Sequence, residues 1–367
     1  MNNQIVNTNS DFLFLYEAVK CNPNGDPDME NKPRIDYETK TNLVTDLRLK
    51  RYIRDYLKLK GEHIFVDALG NKKVTADKML KAIISEELQE ANSLDKLFTK
   101  NNDIENLWNQ MTEKLEDGEK KYHTIEQIVK NKKNKNDEKY KTIFANFTEF
   151  NNLLLNEIIK NRLIDIRFFG GAFAIEGFTE TYTGPIQINW GYSLNPVELI
   201  KTNSITTKFS SSDDNEMGSI GKDYRLYYSL LAFHGTINKN AAAKSGLTNE
   251  DIRLFREAIV QSIPASPTRS KLGQYPILFL QVEYTENYNG YLRDLRDFID
   301  IELKTDTVRN FQDIQLNLDK LTALIKQNKN IIKNIYLWET PLNELKLLPD
   351  GSLEGIAINE LNFSVSQ

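Results

Sequence analysis

The sequence predicts an α+β fold with elements in ferredoxin-like order: strand, helix, strand, then strand, helix, strand. Three observations carry this. The apolar run FLFLYEAV at residues 12–19 leads through a Gly/Pro/Asp-rich loop into an amphipathic helix. Further on, an aromatic run at 224–237 is followed by a helix opening at Thr248 and by the strand YPILFLQVEY at 275–284. Between 75 and about 160, glycine nearly vanishes while Leu and Ile recur at helical spacing, which marks a helical insertion.

Each element has a local cause. The first run is nearly continuously apolar, the pattern of a central strand covered on at least one face. Asn22, Pro23, Asn24, Gly25, Asp26 and Pro27 end it, because Pro removes donors while Gly and Asn tolerate positive φ. Thr45 is placed to cap the following helix, with Asp46 where the helix dipole favours an acid. Leu49, Ile53, Tyr56 and Leu57 then share one face, and Lys50, Arg51, Arg54 and Lys58 another. By spacing alone that basic face serves water or an anion; the loop ahead of it turns the reading toward phosphates. Phe65 and Val66 read as a strand ending in a turn at Gly70 and Asn71. Inside the insertion, residues 117–141 are highly charged, and Lys132, Lys133 and Lys135 form a loop cluster, solvated or touching nucleic acid.

Residues 161–200 return to strand and loop texture. Arg167 stands beside Gly170 and Gly171, a pairing that suits a phosphate near exposed amides, or equally a glycine bulge with buried phenylalanines. Residues 201–222 are rich in Ser, Asp, Asn and Gly and bury little by themselves. The helix from Thr248 carries a capping-box variant with Asp251. Lys239, Lys244, Arg269 and Lys271 are weak basic signals on loops. The last part, 304–367, reads as a basic helix at 317–333, a strand at 334–339 and a polar end, with Lys320, Lys326, Lys329 and Lys333 a solvated face rather than an RNA site.

The stretches NPNGDPD (22–28), PRID (33–36), LVTDLRLKR (43–51), DIRFFGGAFAIEG (165–177), TGPIQINWGYSLNP (183–196) and YRLYYSLLAFHGTINKNAAAKSGLTNED (224–251) occur in one order. Together they resemble the Cas-seven backbone subunit of type I CRISPR-Cas surveillance complexes (Cascade), of the RAMP superfamily and nearest its type I-B and I-C branches. The resemblance covers 11–75 and about 160–303. It implies an RRM-like palm built from 1–74, 161–200 and 223–303, interrupted by the insertion at 75–160 and a thumb-like protrusion at 201–222, with 304–367 as an extension. It further implies that Asn24, Arg34, Thr45, Lys50, Arg51 and Arg54 bear on the sugar-phosphate backbone of a CRISPR RNA. Arg167, Gly170 and Gly171 would line the same channel, and Phe209 and Met217 would wedge between bases. The implied partners are the CRISPR RNA, copies of the same chain, other Cascade subunits, and target DNA through the guide.

Composition bounds what remains. With 367 residues, 40% hydrophobic and 27% charged, the chain can bury a sizeable core, and no apolar stretch is long enough to span a bilayer. Net charge is -5, against a uniformly basic RNA coat but compatible with a local cationic groove. The opening residues MNNQIVNTNSD lack the pattern of a signal peptide, and the single cysteine, Cys21, excludes an internal disulfide framework. The expectation is a cytoplasmic protein without membrane contact, cofactor, metal or catalytic residue. His63, His123 and His234 lack ligand spacing, and neither GK[ST] nor GxSxG occurs. Two alternatives stay open: a metal-dependent endoribonuclease using Asp26, Asp28 and Asp36, as in type III backbone subunits, and a self-associating scaffold without nucleic acid.

Overall fold

The computed structural model describes residues 4–67, 75–88, 93–131, 135, 137–175, 178–206, 220–341, 347–349 and 351–363. The chain divides into two compact units: Met1–Gly61, Pro185–Ala243 and Leu247–Gln367 form the first, Glu62–Gly184 with Lys244–Gly246 the second. Residues 62–67 and 161–175, expected in the palm, fall in the second unit, as do 178–184. The reason is packing. Phe65 and the hairpin aromatics Phe173, Phe178 and Tyr182 join the cluster built on Trp108, Phe150 and Leu154 of the helical segment. Among the described residues no helix is long and apolar enough to cross a membrane.

In the first unit, strand β1 (Ser10–Val19) lies between β2 (Tyr228–Ile237) and β3 (Gln274–Tyr284), antiparallel to both. β4 (Ile332–Glu339) continues the sheet beyond β3, and Ile358–Glu360 adds a parallel edge. On the other side β2 is followed by Gly191–Ser193, Thr41–Val44 and Ile35–Asp36, while Ile186–Ile188 also pairs with β2. The expected 224–237 strand begins only at Tyr228, because Arg225 is held in the preceding turn by Asp223 and by the Lys20 carbonyl.

Alternation along β1 explains its unbroken apolarity. Phe12, Phe14 and Tyr16 occupy one face, where the Phe12 ring meets Phe255 edge-on at 5.4 Å. That residue belongs to helix α2 (Asn249–Ala265), which packs against β3 and against helix α1 (Asp46–Leu59). Thr248 and Asp251 form the expected capping box of α2. The opposite face holds Leu13 and Leu15, which join Leu230, Leu278 and Leu280 in a cluster with Leu295, Phe311, Leu321, Ile325 and Leu353. Residues beyond 290 thus cover the second face of the sheet. Residues 304–367, expected as an extension of helix and strand, contribute Phe311, Leu321, Ile325 and Leu353 to this cover, which turns a one-sided sheet into a buried one.

Polar bonds pin that cover. Asp11, fully buried on β1, accepts the Leu292 N–H at 2.8 Å and the Tyr284 hydroxyl, while His234 Nδ1 accepts the Leu295 N–H at 3.4 Å. Burial pushes the Asp11 carboxyl up to about 6 and holds the His234 imidazole below its ordinary value. The second unit contains helices Ala76–Glu87, Ser93–Phe98, Asn102–Thr112, Tyr122–Lys130 and Lys141–Arg162. After them comes Ile164–Phe169, a short helix where strand and loop were expected, and then the hairpin of Gly170–Ile175 with Phe178–Thr183.

Candidate nucleic-acid interface

The loop between β1 and α1 is organised by side-chain amides. Asn24 Oδ1 accepts both the Thr45 N–H and the Thr45 hydroxyl at 2.9 Å, and Thr45 Oγ1 in turn accepts the Arg48 N–H at 3.3 Å. The loop is therefore tied to the cap of α1 by a two-step relay. Asn22 Nδ2 donates to the Asn31 carbonyl at 2.8 Å, and a Cβ on Gly25 would lie 1.9 Å from Asn31 Oδ1, so any larger residue there would have to displace the Asn31 side chain. Arg34 donates to Asp26 at 3.1 Å, while its carbonyl accepts from Asn42. Asn24, Thr45 and Arg34 thus shape the segment rather than stand out from it.

On α1 the basic residues do not share one exposed face as the spacing predicted. Lys50 and Arg54 are each 8% exposed, and Lys50 pairs with Asp46 at 2.9 Å. Arg51 is exposed and pairs with Asp55 at 2.6 Å. Buried Tyr52, rather than half-buried Tyr56, completes the apolar face with Leu49, Ile53 and Leu57. The physical reason is the angular width of the buried stripe: packing against α2 takes in the near part of the polar side.

Two cations that sequence reading did not assign to the site meet at the start of this helix. The Arg48 guanidinium lies over the Tyr52 ring at 3.9 Å, with its Nε buried and lacking an acceptor. Lys271, on the loop before β3, donates to the Asn22 carbonyl at 2.5 Å. Burial first, and then the Arg48 charge, push its amine down to about 8. Neither cation has a carboxylate partner among the described residues. Tyr52 also accepts a hydrogen bond from Gln274 Nε2 at 3.0 Å, so loop and helix are held in register. Two like charges kept together without an acid make a standing demand for an anion. Lys271 was visible in the sequence only as a weak basic signal; its nearness to Arg48 is a product of the β1–β3 pairing.

The other predicted contacts are spoken for locally. Arg167, in the second unit, donates to the Lys160 and Asn161 carbonyls at 2.9 and 3.1 Å, capping the end of Lys141–Arg162. Gly170 has φ +73°, and a Cβ there would lie 2.2 Å from the Tyr182 carbonyl oxygen. Gly170 therefore allows the hairpin's own backbone to close, whereas a Cβ on Gly171 would meet the Ile166 side chain at 2.8 Å; the hairpin pairs in regular register, without the bulge that the sequence left open. Phe209 and Met217 lie outside the described residues; the flanking Ser204–Thr206 and Ile220–Lys222 pair with each other. Lys132 and Lys133 also lie outside them.

The three loop aspartates do not converge. Asp26 accepts from Arg34 and the Asp28 N–H, and Asp36 accepts from the Glu38 N–H and the Thr39 hydroxyl. They serve turns, and among the described residues no three acidic, histidine or cysteine side chains gather as a metal site.

The family model for CRISPR-associated protein Cas7 matches residues 8–319. A Haloferax volcanii protein described as CRISPR-associated protein Cas7 is 26% identical over 349 residues, covering 89% of this chain and 86% of the relative. Among solved structures, a chain of a pre-nicking CRISPR RNA-guided surveillance complex superposes with a TM-score of 0.51 at 11% identity, covering 97% of both chains, a likeness of fold. With a family match running from before β1 to the start of the helix at Asp319–Gln327, the chain belongs to the CRISPR-associated protein Cas7 family.

Proposed function

We propose that this chain is a non-catalytic backbone subunit of a type I Cascade complex, of the I-B or I-C branch. It polymerises head to tail along a CRISPR RNA and holds the guide for pairing with target DNA beside other Cascade subunits. An open heterologous interface repeated along a linear strand produces such a filament. The palm reads as ferredoxin-like: β1, α1, the strands at 186–193, β2, α2 and β3 follow in chain order, and the sheet runs β3, β1, β2, then 191–193. The residues at 201–222 serve as the thumb. A reducing cytoplasm suits the free, buried Cys21.

One observation carries the RNA reading: Arg48 and Lys271, near each other beside the Asn24–Thr45 relay and without an acidic partner among the described residues. They would take sugar-phosphate, with Lys50, Arg51 and Arg54 adding to the local potential and Asn24, Arg34 and Thr45 setting the shape. Contacts of this kind carry no base information, as a holder of many guides requires. Because residues 292–353 cover the second sheet face, bases do not stack on the sheet as in ordinary RRM domains, and the grip falls to loops. Fluorescence anisotropy of the purified chain with labelled single-stranded RNA, across a salt series with magnesium, tests the reading. The expected result is tight binding that weakens steeply with salt and leaves the RNA intact. Cleaved RNA would instead favour the aspartate nuclease, and no binding at low salt a scaffold.

A further inference from the structure

The edge strand Ile358–Glu360 pairs with β4 on one side and, among the described residues, with nothing on the other. Its bonds to β4 run through alternate residues: the Ala357 carbonyl accepts the Ile335 N–H at 2.8 Å, and the Leu361 N–H donates to the Leu337 carbonyl at 2.7 Å. Residues between those turn the other way, so the amides and carbonyls of Ile358 and Glu360 face outward. They form a short row of extended backbone ready to pair. The family match ends at residue 319, so β4 and this edge belong to the part of the chain outside it.

A cavity of about 280 Å³ opens beside this edge, with Leu337 of β4 and Ile358 and Glu360 of the edge strand in its lining. Leu348 and Leu353, buried with the residues that cover the second sheet face, line it as well, together with half-buried Ile356. At just under the ~300–1,000 Å³ of pockets for drug-sized ligands, the space suits a side chain of a peptide passing along the edge. The charged lining is of one sign: Glu339, Glu354 and Glu360, with no lysine, arginine or histidine among the described residues. Glu339 commits Oε1 to the Leu347 and Leu348 N–H groups at 2.9 and 3.0 Å. Glu354 and Glu360 are exposed at the rim and pair with no cation among the described residues. An apolar cavity, outward backbone groups beside it and unanswered acids at its rim match an extended peptide, whose side chains alternate faces.

We infer that Ile358–Glu360 is a docking edge for an extended basic segment of another protein. The segment adds a strand to the sheet, sets an apolar side chain into the cavity and, two residues along on the same face, brings a Lys or Arg to Glu354 and Glu360. Main-chain hydrogen bonds supply the hold, and the alternate side chains choose the partner. Ile358, 42% exposed, is covered by the incoming strand. A second copy of the same edge fits poorly, because Glu360 would come near its own counterpart and like charges on neighbouring strands destabilise the pair. None of these residues belongs to the proposed RNA grip, so docking here and RNA binding succeed or fail separately.

The test follows the anisotropy of a fluorescein-labelled peptide, Thr-Lys-Thr-Leu-Thr-Lys-Thr, with the full-length protein; its Lys, Leu and Lys share one face when extended. Two companion peptides replace both Lys by Glu, or Leu by Ser. The expected result is saturable binding of the first peptide, about tenfold or more tighter than either companion. Ile358→Pro removes an outward amide while leaving the bonds to β4, and should weaken that peptide about tenfold with RNA affinity unchanged. Glu354→Lys with Glu360→Lys should transfer the preference to the Glu peptide. Peptides N-methylated on alternate residues leave the protein itself untouched: one of the two sets should lose binding and the other keep it. No binding, equal binding of all three peptides, binding that survives both methylated sets, or a preference unmoved by the paired lysines overturns the docking edge. Dimerisation of the parent in sedimentation that Ile358→Pro abolishes would give the edge to a second copy and overturn the basic partner.

Discussion

The loop and helix of the first unit and residues 167–171 of the second carry the same sequence signal, a cation close to glycines, and they end in different electrostatic states. Arg167 turns its Nη1 to two helix carbonyls, and Gly170 allows the chain to pass close to itself. Arg48 and Lys271 lie near enough to feel each other's charge, with no carboxylate partner among the described residues, and the neighbouring glycine shapes the loop that leads to them. What distinguishes the two on the proposed reading is the company each cation keeps in space, which one-dimensional spacing does not report.

Charge reversal breaks the comparison most directly. Arg48→Glu with Lys271→Glu is expected to weaken RNA binding about 100-fold or more, since charge-assisted hydrogen bonds contribute roughly 1.5–3 kcal/mol each and 1.4 kcal/mol is tenfold. Arg167→Gln is expected to leave RNA affinity within about twofold while lowering the stability of the second unit by roughly 1–2 kcal/mol, the worth of its carbonyl bonds. Anisotropy and thermal melts on both variants decide the matter; loss of RNA binding in Arg167→Gln would place both segments on the RNA after all.

pH sharpens the contrast. With its amine lowered to about 8 against an ordinary 10.5, Lys271 binds fewer protons in the folded chain than in the unfolded one across that window. Stability of the RNA-free protein should therefore rise as pH climbs from about 8 toward 10.5. Affinity for RNA, which needs the charged amine, should fall over the same range. Lys271→Met should flatten both trends, and parallel trends in the parent would show that Lys271 does not meet phosphate.

Smaller effects concern the relay. Asn24→Ala removes the acceptor shared by the Thr45 amide and hydroxyl and should cost about 1–2 kcal/mol in denaturant melts. Restoring the side chain as Asp should recover most of it. The least effect is expected from Asp26→Asn with Asp36→Asn: turn bonds weaken slightly, and RNA incubated with magnesium stays as intact as with the parent. Slower RNA degradation by this variant than by the parent would revive the nuclease.

Much of the first unit was legible in its sequence because its signals are local. The Thr45 and Thr248 caps, the run at 12–19 and the strand at 275–284 each announce themselves within a dozen residues. The cover on the second sheet face was not legible, since Leu295, Phe311 and Ile325 find Leu13 and Leu15 only through the finished topology. The candidate site was half legible for the same reason. Its loop and helix could be read, but the burial of Lys50 and Arg54 depends on α2, and the Arg48–Lys271 encounter on β3.

The position of β1 has a consequence for how the chain is made. Both of its hydrogen-bonding neighbours lie more than two hundred residues downstream, so FLFLYEAV emerges from the ribosome early and waits. At ~5–20 residues per second that wait lasts on the order of tens of seconds. Through it, a strand with aromatic residues on one side and leucines on the other has no native edge to join. The strand at the centre of the finished sheet is thus left exposed to aggregation during synthesis, and closure over so long a loop is intrinsically slow. Cells that make many copies at once would gain from shielding the nascent N-terminus until β3 is complete.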